Sequence, residues 1–262
     1  MPTDNFIHTD SYYTPENHPR ALGDKLALGT SGYFNAKFVA QLMVNRRVAL
    51  AGKFDRNKWA TESMNIFKLI ENCGGRFHIE GLDNINKTDE PVVFISNHMG
   101  TMETMIFPGI LASRRPVTFV VKKSLVSHPI FGPVVRVRNP ITVDRQDPIA
   151  DFKKVMTDGV ENLEKGKSVV VFPQSKRIVK FVPGEFNKLG IKLAKKANVH
   201  VVPVAIKTDF WKNGTVIKDL GGVNRRLPIY IQFGDPFKVE GAGKKEHEQV
   251  IDFISSHLKK WS

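Results

Sequence analysis

Pro91-Val92-Val93-Phe94-Ile95-Ser96-Asn97-His98-Met99-Gly100-Thr101-Met102-Glu103 decides how this chain is read. The first five residues are apolar, rich in β-branched side chains and led by a proline, the pattern of a short buried strand. Small and polar residues end that strand, and an apolar helix-like run begins at Met102. His98 is therefore expected at a strand-to-helix turn, where open α/β sheets present functional groups. Five helical residues turn through about 500°, which leaves His98 and Glu103 roughly 140° apart on one regular helix. The two can meet only when His98 precedes the helix and Glu103 reaches back from its first turn, with Thr101 as the expected N-cap. An imidazole held by a carboxylate is the minimal kit of a general base, because the carboxylate fixes the tautomer and stabilises the imidazolium that forms. A strand-end histidine taken alone is more often a cap or a surface residue. The rest of the chain supplies the weight.

Around this stretch strands and helices alternate. Upstream, the periodicity predicts helices over 31–50 and 56–71, the second stopped by Asn72-Cys73-Gly74-Gly75, and a strand over 76–81. Downstream, it predicts a helix over 102–112, strands over 116–122 and 141–145, a helix over 151–164 and a strand over 168–173. A helix over 185–197, strands over 199–206 and 229–233, and a terminal helix over 246–261 complete the pattern. Several strands are apolar throughout, which is the mark of a sheet covered on both faces. The expected fold class is α/β: a mixed, largely parallel central sheet with helices on both faces, plus an N-terminal helical element. Residues 1–23 read as a flexible N-terminal arm, 24–75 as a helical element with a possible membrane-surface contact, and 76–262 as the α/β domain.

The chain has 262 residues, enough to bury a large core. An apolar content of 41% and a charged content of 25% are ordinary for a globular fold. The charge balance is not: 39 Lys+Arg against 26 Asp+Glu gives +13. Such a surplus suits nucleic acid, an anionic membrane or a phosphorylated substrate. A single cysteine, Cys73, excludes an internal disulfide and any multi-cysteine metal site. No apolar h-region opens the chain and no run of about 18 apolar residues occurs, so a peripheral rather than spanning relation to lipid is expected. The phosphate loop, the dinucleotide turn and the GxSxG nucleophile elbow are all missing. A metal on His98 and Glu103 lacks a clustered third ligand, so no metal is expected.

Two further strand ends carry cations. Val143-Asp144-Arg145 closes one strand, and Phe172-Pro173-Gln174-Ser175-Lys176-Arg177 follows the apolar run 168–171. Arginine grips phosphate through two parallel hydrogen bonds. With Val202-Pro203-Val204-Ala205 and Phe181-Val182-Pro183-Gly184, these blocks fall in the order and at the intervals of a known family. Over roughly residues 76–210 the chain resembles the PlsC-type glycerolipid acyltransferases. Asn97-His98 with Glu103 matches their NH-x4-D motif, with Glu in place of Asp, as in lipid A-type relatives. Gln174-Ser175-Lys176 stands where those proteins have Glu-Gly-Thr.

The resemblance implies an O-acyltransferase of phospholipid biosynthesis. It would move a fatty acyl group from a thioester to a hydroxyl of a lysophospholipid or related glycerolipid. His98 would act as general base oriented by Glu103. Asn97, Gly100, Arg145, Pro173, Gln174, Ser175, Lys176 and Arg177 would bind substrate, and backbone amides near Gly100 are candidates for the oxyanion. The implied partners are acyl-CoA or acyl carrier protein as co-substrate, a lysolipid acceptor and an anionic membrane surface. No cofactor and no nucleic acid are expected, and the expected place is the cytoplasmic face of a membrane. A catalytically lapsed lipid-binding member and a basic nucleic-acid-binding protein are the competing readings. The first is motivated by the altered 174–176 block and the second by the net charge.

Overall fold

The computed structural model describes residues 6–174, 176–215 and 217–262. In chain order its elements are β1 (Tyr12–Tyr13), α1 (Leu22–Leu26), α2 (Gly32–Leu50), α3 (Arg56–Asn72), β2 (Phe77–Glu80), β3 (Val92–Ser96), α4 (Met102–Phe107) and β4 (Val117–Lys122). There follow α5 (Lys123–Val126), α6 (Gly132–Arg136), β5 (Ile141–Val143), α7 (Pro148–Glu164), β6 (Ser168–Val171), α8 (Leu189–Ala197), β7 (His200–Lys207), β8 (Ile229–Phe233) and α9 (Lys244–Lys260). A π turn at Pro108–Ala112 continues α4.

The described strands form one eight-stranded sheet in the order β1-β2-β8-β7-β3-β6-β4-β5. β3 lies between β7 and β6 and is parallel to both. β6 is parallel to β4, and β4 to β5. These strands therefore end on one common edge, and His98 follows β3, a strand with a parallel neighbour on each side. β8 runs antiparallel to β7, and β1 antiparallel to β2. The sheet is mixed and largely parallel.

Period-two alternation sorts the strand side chains cleanly. Val92 and Phe94 of β3, Val170 of β6 and Val202, Val204 and Ile206 of β7 face one core, which α2, α3 and α4 cover. Val93 and Ile95, Val169 and Val171, and Val201 and Ala205 face the other, beneath α7, α8 and α9. Phe34, Phe38 and Phe67 share the first core with the strands, so the N-terminal helices belong to the same packed unit. Close approach is secured by two glycines. A Cβ on Gly190 of α8 would sit 2.6 Å from Ile95 Cδ1, and one on Gly109 would sit 2.8 Å from Met64 Sδ of α3. Asp147 caps α7 by accepting from the N–H groups of Ile149 and Ala150, and Pro148 takes the first helical position.

Three expectations change. The segment before residue 24 is not a loose arm in its described part. Thr14 donates to the buried Glu71 at 2.5 Å, Tyr12 donates to the same carboxylate at 2.7 Å, and β1 adds a strand to the sheet. A buried carboxylate needs donors, and the N-terminal segment supplies them. The helix expected from 185 begins at Leu189. Pro183–Glu185 is a separate 3-10 turn, and Phe186 is buried in the connection. Thr101 stands at the N-cap position of α4 but makes no side-chain cap bond, because its hydroxyl is used elsewhere. Among the described residues no helix is long and apolar enough to cross a membrane.

Candidate active site

Past the end of β3, the chain is held by side chains rather than by the ladder. Asn97 Nδ2 donates to the Ile206 carbonyl and Asn97 Oδ1 accepts from the Ile206 N–H, both at 2.9 Å. The amide thus extends the β3–β7 pairing by one step. Asn97 is 2% exposed. The expectation that it touches substrate is corrected: its amide is spent on the strand that anchors His98.

His98 Nδ1 lies 2.8 Å from Glu103 Oε1. Glu103 is the second residue of α4, so it does reach back from the first turn. Glu103 is fully buried. Its Oε1 also accepts from the N–H groups of Met99 at 2.6 Å and Gly100 at 2.7 Å, and its Oε2 accepts from Thr208 Oγ1 at 2.8 Å. Burial by itself pushes the Glu103 carboxyl up. The hydrogen bond and charge of His98, with the Gly100 N–H, outweigh burial and hold it below the ordinary carboxylate value. An ionised carboxylate only accepts, so Nδ1 carries the ring proton and Nε2 carries the lone pair. Phe172 stacks on the imidazole with centroids 4.4 Å apart. The His98 side chain keeps 11% of its surface exposed.

The Phe172–Ile178 loop grips the backbone of His98 from both sides. Gln174 Oε1 accepts the His98 N–H at 2.8 Å, and the Ile178 N–H donates to the His98 carbonyl at 2.9 Å. Gln174 is 2% exposed, and among the described residues its Nε2 finds no partner. It is a backbone anchor, which corrects its assignment to substrate. Pro173 is buried too, and its carbonyl accepts from Asn187 Nδ2. Ser175 lies outside the described residues. Lys176 is exposed. Arg177 Nη1 meets Asp219 Oδ1 at 2.7 Å and Thr101 Oγ1 at 2.9 Å, and that hydroxyl donates to Asp219 Oδ1 at 2.7 Å.

The oxyanion expectation is not met at Gly100, since the Met99 and Gly100 N–H groups already point at Glu103. Gly100 is a turn residue packed near Trp211 and Asn213. Arg145 sits on the same sheet edge in a left-handed conformation, φ +66°, with its N–H donating to Asp151 at 2.7 Å. β5 is three strand spacings from β3, about 14 Å. Arg145 therefore flanks the His98 pair at a distance. Among the described residues no group of three or more His, Cys, Asp or Glu side chains is placed to hold a metal ion.

Sequence reasoning missed Thr208, Asn213 and Asp219. Thr208 ends up beside Glu103 because β7 is the neighbour of β3, and Asn213 Nδ2 donates to the Met99 carbonyl at 3.0 Å. The available signal was the position of Thr208 just beyond a buried strand. That signal becomes useful only once the strand order is known.

Comparison with known proteins agrees with this architecture. The acyltransferase family model matches residues 76–207. A 1-acyl-sn-glycerol-3-phosphate acyltransferase of Pseudomonas aeruginosa is 31% identical over 194 residues, covering 74% of this chain and 70% of that protein. A chloroplastic 1-acyl-sn-glycerol-3-phosphate acyltransferase of Arabidopsis thaliana is 30% identical over 151 residues, which span 56% of this chain and 38% of the plant protein. The crystal structure of PlsC from Thermotoga maritima superposes with a TM-score of 0.66 at 19% identity, covering 87% of this chain and 92% of that one, and so shares the fold. With the family match spanning half its length, and a 31%-identical relative covered over more than two thirds of its own, the chain belongs to the acyltransferase family.

Proposed function

We propose that the protein transfers a fatty acyl group from a thioester, carried on coenzyme A or acyl carrier protein, to a hydroxyl of a lysophospholipid. The observation that carries this reading is the His98–Glu103 pair, 2.8 Å apart at the exit of β3, with the carboxylate fully buried and the imidazole side chain 11% exposed. The acceptor hydroxyl attacks the thioester carbonyl while His98 Nε2 takes its proton. Glu103 stabilises the imidazolium so formed. The tetrahedral intermediate then collapses and the C–S bond breaks. The imidazolium returns the proton to the departing sulfur, leaving an ester and a free thiol. No covalent enzyme intermediate is required. Arg177 beside the site, with Lys176 and Arg145 on the same edge, is suited to the phosphates of acceptor and donor. The acceptor class is taken from the relatives' names, which specify 1-acyl-sn-glycerol-3-phosphate.

Access to a lipid acceptor has its own support. α2 buries Phe34, Phe38, Leu42 and Ala49 yet presents Ala36, Ala40 and Val44 outward at four-residue spacing, beside Lys37 and Arg47. Leu22, Leu26 and Leu28 nearby are 72%, 70% and 90% exposed. Apolar residues on the outer face as well as the inner one, with cations among them, suit an anionic bilayer, which attracts each nearby Lys or Arg with about 1 kcal/mol. The protein then rests on the membrane and draws its acceptor from it.

The test of the chemistry is incubation of the pure protein with acyl-CoA, a panel of lysolipids and a thiol reporter, with His98→Ala as control. Thiol release that needs both acceptor and His98 supports the reading, and release that persists in His98→Ala ends it. Flotation with liposomes tests the membrane contact. Binding that ignores salt and lipid charge removes it.

A further inference from the structure

Resting on the function just proposed, we infer that Asp219 is a specificity determinant: it competes with the acceptor's anionic head group for Arg177 and so sets how much head-group charge the site accepts. Arg177 belongs to the loop that grips His98, because the next residue, Ile178, donates its N–H to the His98 carbonyl at 2.9 Å. An anion held by Arg177 therefore lies close to the general base. That position is already taken by a carboxylate of the chain itself. Asp219 Oδ1 accepts from Arg177 Nη1 at 2.7 Å, and Thr101 Oγ1 bridges the two by accepting from Arg177 at 2.9 Å and donating to Asp219 at 2.7 Å. The side chains are 28% and 24% exposed, so the pair is shielded enough to matter and open enough to be displaced. Asp219 lies beyond the 76–207 stretch matched by the family model. It therefore belongs to the part of the chain that the family pattern does not prescribe.

A guanidinium offers parallel hydrogen bonds to one planar or tetrahedral oxyanion at a time. A phosphate monoester must displace Asp219 or share Arg177 with it, at close range to a fixed negative charge. Each added negative charge on the head group raises that cost, while a zwitterionic head group brings a cation that Asp219 itself can receive. Asp219 thus weights the site against dianionic acceptors relative to zwitterionic ones.

The experiment compares wild type and Asp219→Asn in the full-length protein. The first readout is equilibrium binding of short-chain lysophosphatidate and of lysophosphatidylcholine in a His98→Ala background, where no turnover intervenes. Asp219→Asn should tighten lysophosphatidate by about three- to tenfold and leave lysophosphatidylcholine unchanged or weaker. Asp219→Glu should behave as wild type, and in an Arg177→Gln background Asp219→Asn should have no effect. The second readout is steady-state KM in the active enzyme, which should move for lysophosphatidate and not for acyl-CoA. Unchanged or weakened lysophosphatidate binding in Asp219→Asn overturns the inference, as does a shift confined to the donor. Absence of turnover in wild type with the binding shift present removes the catalytic reading and leaves the competition at Arg177 standing.

Discussion

Asp24 and Glu103 are both carboxylates shut away from water, each at 0% exposure, and their surroundings could hardly differ more. Asp24 is gripped by permanent cations. Arg20 Nε donates to Oδ2 at 2.7 Å and Arg225 Nη2 donates to Oδ1 at 2.6 Å. Arg225 also donates to the carbonyls of Cys73, Gly29 and Thr30, so the cluster ties α1, the start of α2 and the end of α3 to the 225 loop. Burial first, and then the nearby Asp24 carboxylate, push the Cys73 thiol up to about 12, which leaves it inert. Glu103 is gripped instead by backbone N–H groups, a hydroxyl and an imidazole. The Asp24 cluster sets one carboxylate against two guanidinium cations. The Glu103 cluster becomes balanced when the imidazole gains a proton. One arrangement staples the fold, and on the proposed mechanism the other holds negative charge beside the imidazole that takes up a proton.

The contrast is tested hardest by removing the partner that titrates. His98→Ala should lower turnover by about 10²–10⁴-fold, the value of general-base help, and cost about 1–3 kcal/mol in a urea titration, since Glu103 keeps its backbone and Thr208 donors. Asp24→Asn should act on the fold alone. It leaves Arg20 and Arg225 without their counter-charge, costing about 3–5 kcal/mol of stability in a urea titration, while turnover per folded molecule is kept. A loss of turnover at full stability in Asp24→Asn would erase the distinction between the two arrangements.

A finer cut separates orienting the carboxylate from merely burying it. Thr208→Val keeps the volume near Glu103 but removes the donor to Oε2. A buried acceptor left unpaired costs about 1–3 kcal/mol, and a carboxylate free to turn holds the imidazole less well. The expected kinetic signature is a lower kcat at unchanged KM, restored by Thr208→Ser. A rise in KM alone would mean that Thr208 shapes the acceptor site and leaves Glu103 alone.

How far these features were legible in the sequence depended on how local their causes are. β3, His98 and the first turn of α4 are set by contiguous residues, so apolar run, polar break and helix start sufficed to place Glu103 behind His98. The period-two alternation of β3, β6 and β7 made the two-sided core readable. The partners Thr208, Asn213 and Asp219 arrive from beyond β7, and only the strand order brings them to Glu103, Met99 and Arg177. It is the family resemblance that assigns Gln174 and Asn97 to substrate, since amide side chains suit binding and anchoring equally. Their burial and their bonds to the His98 N–H and the Ile206 backbone make them anchors. The antiparallel β8 and the short β1 gave little signal of direction, since an isolated apolar run does not say which way it pairs.

The smallest expected effect concerns acid. Glu103 is held below its ordinary value, so folding favours its ionised form. Above the unfolded carboxylate value, about 4.3, both states are ionised and its contribution is fully present. As pH falls below that value towards the depressed folded one, the unfolded chain binds the proton first and the contribution is lost. The stability gap between wild type and Glu103→Gln, read from urea midpoints between pH 7 and pH 3, should therefore shrink on the acid side. A gap that stays constant would show that the fold does not favour the ionised form of Glu103. Removing His98 sharpens the same measurement. Burial pushes the Glu103 carboxyl up, and His98 supplies the largest opposing contributions. In His98→Ala the remaining N–H groups and Thr208 oppose burial alone, and the pH at which the gap closes should rise. No such rise would mean that backbone and hydroxyl donors suffice to hold the charge, and the imidazole would then be the guest of a site built without it.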